Sequence, residues 1–367
     1  MSNVPKLRFK EFSGEWELKQ LSKVCELKAG KFVKATDISN IMKDNMFPCY
    51  GGNGLRGYTN TFTHNGSYSL IGRQGALCGN IQFANNKFHA TEHAVVVTPF
   101  DENDTLWLYY QLDRLNLNKF ATGQAQPGLS VDVIKNVKAV FPLKPEQEKI
   151  ASFLTSVDTK IEQLTKKESL LQEYKKGVMQ KIFNQEIRFK DDDGSEFCEW
   201  EEKKLGDILD YIQPTKYLVK DTEYNDRYTI PVLTAGKTFI LGYTNETDGV
   251  FENNLPVIIF DDFTTANKFV NFPFKAKSSA MKILTPKDNN NIKFIYEAMQ
   301  MIKYEVGGHE RHWISKFSFL NIFIPYIEEQ IKIANFLSSI DTKIEQTQKQ
   351  LESSKEFKKA LLQQMFV

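Results

Sequence analysis

Residues 142–183 read PLKPEQEKIASFLTSVDTKIEQLTKKESLLQEYKKGVMQKIF, and residues 325–366 read PYIEEQIKIANFLSSIDTKIEQTQKQLESSKEFKKALLQQMF. The two stretches align without a gap at one constant offset of 183 residues. Pro142, Glu146, Gln147, Ile150, Ala151, Phe153, Leu154, Asp158, Thr159, Lys160, Ile161, Glu162 and Gln163 recur as Pro325, Glu329, Gln330, Ile333, Ala334, Phe336, Leu337, Asp341, Thr342, Lys343, Ile344, Glu345 and Gln346. Identity at spaced apolar and polar positions over such a length is the mark of a duplication.

Each copy carries a heptad. Ile150, Val157, Leu164, Leu171 and Val178 fall seven apart, and Leu154, Ile161 and Ile182 share the companion position, which Glu168 and Lys175 interrupt. The second copy places Ile333, Ile340 and Leu361 at one position and Leu337, Ile344, Leu351 and Met365 at the other. A stripe at this spacing keeps facing one partner along a helix, so the pattern predicts two long helices packed on each other as an antiparallel coiled coil. Between residues 146 and 183, six acids stand against seven lysines, as expected of a solvated outer face. A helix of this length spans roughly 55–60 Å.

A shorter motif also repeats ahead of each copy. Leu7, Arg8, Phe9, Lys10 and Glu11 lead to Trp16 and Leu21, and Ile187, Arg188, Phe189, Lys190 and Asp191 lead to Trp200 and Leu205. The duplicated unit is therefore an opening motif, a divergent block and a long helix. The divergent blocks share only anchors, Gly57, Tyr58, Thr59 and Asn60 with Gly242, Tyr243, Thr244 and Asn245, and Thr98-Pro99 with Thr285-Pro286. Both read as mixed α/β, with β-rich runs at 69–71, 93–97, 231–233, 257–260 and 280–284 and helices near 106–115 and 292–302. The fold class expected is α+β with an internal pseudo-two-fold repeat: a divergent block over 1–144, a central helix over 145–183, a second block over 184–326 and a C-terminal helix over 327–367.

Composition narrows the function. A length of 367 residues with 41% hydrophobic content suffices for two or three cored domains, and a net charge of +1 leaves any nucleic-acid affinity to local patches. Cys25, Cys49, Cys78 and Cys198 form no CxxC pair, which predicts reduced, buried thiols. The opening MSNVPKLRFK lacks the apolar core of a signal peptide and no apolar run approaches a membrane span, so a soluble, cytoplasmic protein with no membrane partner is expected.

The order of opening Trp motif, divergent block and repeated Pro-x-x-x-Glu-Gln-x-x-Ile-Ala-x-Phe-Leu-x-x-x-Asp-x-x-Ile helix resembles the DNA-specificity subunit of type I restriction-modification systems, over the whole chain. The resemblance implies that each divergent block is a target recognition domain for one half of a split site in double-stranded DNA. It implies that the helices set the gap between the halves and dock two copies of a methyltransferase subunit. On this reading Pro142, Gln147, Ile150, Phe153, Leu154 and Ile161, with Pro325, Gln330, Ile333, Phe336, Leu337 and Ile344, form the spacer and docking set. The family's subunit is noncatalytic and holds no cofactor or metal; S-adenosylmethionine, ATP and Mg belong to the methyltransferase and to restriction and translocase subunits.

Candidate DNA contacts lie in the loops. The first block offers Lys28, Lys31, Lys34, Arg56, Arg73, Gln74, Gln124 and Gln126, and Arg73-Gln74 would suit guanine and adenine edges while lysines hold phosphates. The second offers Gln213, Thr215, Lys216, Lys237, Thr238, Thr264, Thr265, Asn267, Lys268, His309, Arg311 and His312. Enzyme-like motifs fail on context. Gly52, Gly54 and Gly57 satisfy GxGxxG, yet 47–50 is a poor preceding strand and 58–63 no helix start. Gly236-Lys237-Thr238 lacks the first glycine of a phosphate loop, where Pro231 stands; Asp261-Asp262 reads as loop caps or base readers; and His89, Glu92 and His93 have no third ligand. No Asn-Pro-Pro-Tyr or Asp-Pro-Pro-Tyr motif is present, so the chemistry of adenine methylation is expected elsewhere. A stand-alone DNA-binding regulator and a nuclease are the other classes, and they would require tight binding or metal-dependent cleavage by the chain alone.

Overall fold

A computed structural model describes residues 3–75, 77–123, 127–236, 238–304 and 311–367. The chain forms two compact units, one from residues 1–166 with 349–367 and the other from 167–348, so each unit takes part of both long helices.

In the first unit, strand Glu17–Gln20 pairs antiparallel with Lys138–Phe141, the strand that leads into the first long helix. Between them lies an antiparallel sheet in the order Cys25–Ala29, Ala94–Pro99, Tyr68–Gly72, Ile81–Ala84. A second sheet runs Gly54–Thr59, Phe47–Gly51, Lys87–Ala90, His64–Asn65, with its middle pair parallel. Helix Thr105–Arg114 starts where the Asp104 carboxylate accepts the Trp107 N–H at 2.7 Å. The second unit repeats this plan. Glu201–Lys204 pairs with Asn321–Ile324; one sheet runs Leu209–Ile212, Met281–Pro286, Val257–Asp261, Asn267–Val270; the other runs Ile240–Thr244, Ile230–Leu233, Lys275–Ala276, again with a parallel pair. Helix Ile292–Gln300 is capped by Asn291.

Strand Phe47–Gly51 corrects the expectation of a poor strand there, and it forms a hairpin with Gly54–Thr59, so of the GxGxxG glycines Gly52 and Gly54 lie at the hairpin tip and Gly57 within the second strand, opposite Cys49. Pro48 is tolerated because the parallel pairing on its other side covers only Cys49 and Tyr50. Pro231 sits the same way, opposite Tyr243 as Pro48 is opposite Tyr58.

The long helices run Lys144–Phe183 and Ile327–Gln364. The first has Pro145 in its opening turn, where the missing N–H costs nothing. It ends with Gln185 in the left-handed region, φ 60°, while the Glu186 N–H closes on the Lys181 carbonyl at 2.8 Å. Within each unit the helices pair antiparallel. In the first, Ile150, Leu154 and Val157 share a core with Leu361, Met365 and Phe366, and Asp158 meets Lys358 at 2.6 Å. In the second, Met179 and Ile182 share a core with Ile333, Leu337 and Ile340, while Glu168 accepts from Gln348 at 2.8 Å and Lys175 meets Asp341 at 2.6 Å. The helix ends close the cores alike: Phe366 packs on Trp16 and Trp107, and Phe183 on Trp200 and Phe294.

Lys175, which interrupts the heptad, has a partner set. It reaches Glu297 at 3.0 Å and Asp341 at 2.6 Å, and Lys293 reaches the same two carboxylates at 2.6 and 2.8 Å. The polar break in the stripe is thus a closed ring of two acids and two lysines. Cys25, Cys49 and Cys78 are buried free thiols, but Cys198 is exposed, which corrects the expectation for that residue. Among the described residues no helix is long and apolar enough to cross a membrane.

Candidate nucleic-acid interface

The repeated helix signature holds each block to its helix. Gln147 accepts the Asp104 N–H at 2.9 Å and donates to the Pro142 carbonyl at 2.9 Å; Gln330 does the same with Asn291 and Pro325, at 2.9 and 2.9 Å. Arg8 of the opening motif forks onto Glu146, at 2.8 and 2.7 Å, and Arg188 onto Glu329, at 3.0 and 2.9 Å. Phe9 packs edge-on against Phe153 and Phe189 against Phe336. Pro142, Gln147, Ile150 and Leu154 are buried, as are Pro325, Gln330, Ile333 and Leu337; Phe153, Ile161, Phe336 and Ile344 are half-buried. For the eight buried residues this corrects the docking half of that assignment, because a side chain buried within its own chain offers no face to a partner. The signature is an internal clasp. Its missing members, Arg8 and Arg188, were signalled by recurring with Glu146 and Glu329 in both copies.

In the first unit four loops meet at one end of the sheet. Segment 30–34 is pinned by the Gly30 N–H on Ala94 at 3.0 Å and the Lys31 N–H on Ala90 at 2.8 Å. A Cβ on Gly30 would stand 2.1 Å from the Ala90 oxygen, so only glycine passes there. His89 donates from Nε2 to the Lys31 carbonyl at 3.0 Å, and its Nδ1 lies 2.9 Å from the Thr61 hydroxyl, so the ring braces the segment from both nitrogens. The hairpin tip closes onto loop 72–75, where a Cβ on Gly72 would lie 1.9 Å from the Gly52 oxygen. Between them opens a cleft of about 430 Å³ lined by Gly51, Gly52, Asn53, Gly54, Leu55, Arg56, Gln74, Gly75 and His93. Lys28, Lys31, Lys34, Arg56 and Gln74 are exposed, with Lys28 paired to Glu26 at 2.7 Å. Arg73 is half-buried; its Nε is buried and meets no partner. Its backbone joins the sheet to the next loop, the N–H on His93 at 3.0 Å and the carbonyl accepting from Leu129 at 2.9 Å. Gln124 and Gln126 lie outside the described residues.

The second unit gathers its candidates at the corresponding sheet end. Gln213, Thr215 and Lys216 are exposed around the 3-10 turn Pro214–Tyr217. Thr238 is exposed in a turn that Thr234 closes through its hydroxyl, donating to the Thr238 carbonyl at 2.7 Å; Lys237 lies outside the described residues. Asp261 shapes the next loop, accepting from the Phe263 N–H at 3.0 Å and the Thr264 hydroxyl at 2.6 Å. Thr264 and Lys268 are exposed, Thr265 and Asn267 half-buried, and Asn267 accepts from Gln300 at 2.6 Å. Arg311 is exposed and His309 lies outside the described residues. His312 is corrected: it is 0% exposed, with Nδ1 3.1 Å from the Tyr304 hydroxyl, so it belongs to the core beneath the loop. Asp262 is also inward. It accepts the Trp313 N–H at 2.9 Å and faces Lys282 at 3.5 Å, and its backbone accepts the His312 N–H at 2.8 Å.

Sequence reasoning also passed over two aromatics on the helices. Tyr174 and Phe357 occupy the same place in the two copies and are 53% and 52% exposed.

Two divergent blocks on one repeated backbone, each gathering polar loops at one end of its sheet and each clasped to long helices, define a duplicated two-reader architecture. A family model, the type I restriction modification DNA specificity domain, matches residues 13–172 and again 198–353, and the chain belongs to that family. It is 60% identical over 126 residues to the specificity subunit of the Escherichia coli type I restriction enzyme EcoR124I/EcoR124II, covering 33% of this chain and 31% of that one. It is 40% identical over 160 residues to the EcoprrI specificity subunit of Escherichia coli, covering 43% and 40%. The matches thus span between about a third and two fifths of these curated relatives' length. The crystal structure of a type I restriction-modification system S subunit from M. genitalium shares the fold, with a TM-score of 0.74 over 99% of both chains at 20% identity.

Proposed function

We propose that this chain is the noncatalytic specificity subunit of a type I restriction-modification complex. Each recognition block reads one half of an asymmetric, bipartite duplex site, and the helices fix the gap between the halves, since half-site spacing copies protein geometry. Two copies of an adenine methyltransferase dock on the repeated frame, and restriction subunits add ATP-dependent cleavage. S-adenosylmethionine, ATP and Mg are held by those partners. A base must leave the duplex before it is methylated, so a rigid grip on flanking DNA serves the reaction.

The observation that carries this reading is the repeated clasp beneath non-repeated loops: the same Arg–Glu fork and Gln bridge hold two sheets whose loop side chains differ. With Gln147 and its fellows turned inward, the exposed Tyr174 and Phe357 take over as the docking residues. The test is a methylation map of DNA from cells expressing this chain with its methyltransferase, against the methyltransferase alone. A split adenine-methylation motif that depends on this chain supports the proposal. An assembled complex that adds no motif sinks it.

A further inference from the structure

Phe32 is 71% exposed, yet the backbone on either side of it is held by hydrogen bonds. Gly30 and Lys31 are hydrogen-bonded to Ala94 and Ala90, His89 grips the Lys31 carbonyl at 3.0 Å, and Val33 is buried behind the ring. After it, the Asp37 N–H closes a 3-10 turn on the Lys34 carbonyl at 3.0 Å. Among the described residues the ring meets no other aromatic ring and no cation. Lys31 and Lys34 stand exposed on either side of it. An apolar ring on a rigid mount between two free ammonium groups matches what a duplex presents at a base step, a stack of π-faces between phosphates.

Resting on the DNA-reading function above, we propose that Phe32 is a wedge that stacks into a base step of the half-site read by the first block, with Lys31 and Lys34 on the flanking phosphates. At the level of Phe32 the second block carries no aromatic ring. Its strand Leu209–Ile212 pairs with Pro286 as Cys25–Ala29 pairs with Pro99, which puts Lys216 level with Phe32. The wedge is therefore assigned to the first half-site alone.

The experiment uses the full chain assembled with its methyltransferase on duplexes carrying 2-aminopurine at successive positions of each half-site. Wild type should give enhanced fluorescence at one step of the first half-site, besides the signal at the adenine the methyltransferase extrudes. Phe32→Ala should abolish the first signal, keep the second, and weaken binding on the order of 5- to 150-fold, the worth of one stacked base. Phe32→Trp should restore affinity. The unfolding midpoint should not move, given the ring's exposure. Retained signal and affinity in Phe32→Ala overturns the wedge, and so does a lowered midpoint, which would make the ring structural. A wild-type complex with no preferred site would overturn the DNA-reading function itself, and the wedge with it.

Discussion

Lys175 and Lys358 occupy the same place in the two helix copies, 183 residues apart, and each meets the equivalent aspartate, Asp341 and Asp158, at 2.6 Å. Their replacement by Met, which keeps the stem, should nevertheless have unequal effects. Around Lys175 stand Glu297, 0% exposed, and Asp341, 28% exposed, with Lys293 as the other cation. Removing Lys175 leaves two carboxylates on one lysine, one of them sealed from water. Breaking a buried pair costs about 3–5 kcal/mol, and the low end, about 3, applies because Lys293 remains and Asp341 reaches solvent. Around Lys358, the place of Glu297 is taken by Tyr110, whose hydroxyl donates to Asp158 at 2.7 Å. Asp158 is 33% exposed and keeps that bond, so losing Lys358 should cost about 0.5–1 kcal/mol.

Native-state hydrogen exchange separates the two, because each unit carries its own reporter helix. Lys175→Met should speed exchange in Ile292–Gln300 by on the order of 100-fold, and Lys358→Met should speed it in Thr105–Arg114 by only about 2- to 5-fold. Adding Glu297→Gln to Lys175→Met should recover most of the loss, because it removes the stranded charge. Equal effects at the two sites, or no recovery in the double variant, would refute the assignment of the cost to buried, uncompensated charge.

Three further outcomes are expected. Burial would raise the Asp341 carboxyl, but hydrogen bonds from Lys175 and Lys293 outweigh it and hold the group below its ordinary 3.8. Its contribution is therefore complete above that value and lost as pH falls through the lower folded one. Acid unfolding of the second unit below about pH 4 should be shallower in Asp341→Asn, and an unchanged curve would remove Asp341 from the linkage. Gln147→Ala strands the Asp104 N–H and the Pro142 carbonyl and should cost about 1–3 kcal/mol in urea unfolding, as should Gln330→Ala, unless water replaces the amide. Tyr174→Ala and Phe357→Ala should leave the unfolding midpoint in place but weaken capture of the methyltransferase; undiminished assembly would move the docking face elsewhere.

The duplication and the long helices were legible because a heptad is a one-dimensional signal and the repeat doubles it. The ring around Lys175 was not, since a lysine in an apolar stripe gives no hint of Glu297 and Lys293, which reach it from a separate helix. Residues 47–50 read as a poor strand, although the repeat held the answer: Pro231 sits opposite Tyr243 as Pro48 sits opposite Tyr58. Loop side chains were the least legible. Arg311 and His312 are adjacent polar residues, and only the backbone's anchoring to Asp262 decides that one faces out and the other in.

That anchoring point also explains how one frame can carry two different readers. Arg73 and Asp262 are equivalent: the N–H of each bonds across to the neighbouring strand's entry, at His93 or Ala280, and the carbonyl of each receives the next loop, from Leu129 or His312. The residue at the end of the central strand is thus a fixed backbone junction with a free choice of side chain. In the second unit the choice is a carboxylate turned inward, and Lys282, fully buried on the adjacent strand and opposite Phe260, neutralises it at 3.5 Å. In the first unit the strand position opposite Ile71, where Lys282 has its counterpart, holds Val95, and an inward charge there would have no mate. Arg73 instead stays half-buried, its buried Nε without a partner among the described residues. A buried donor without a partner is costly unless something from outside completes it, and on the proposed function a guanine edge or a phosphate would be that acceptor. The side chain at the junction thus differs together with one core position on the adjacent strand, apolar at Val95 and cationic at Lys282. Divergence between the two readers needs no change in the backbone that carries them.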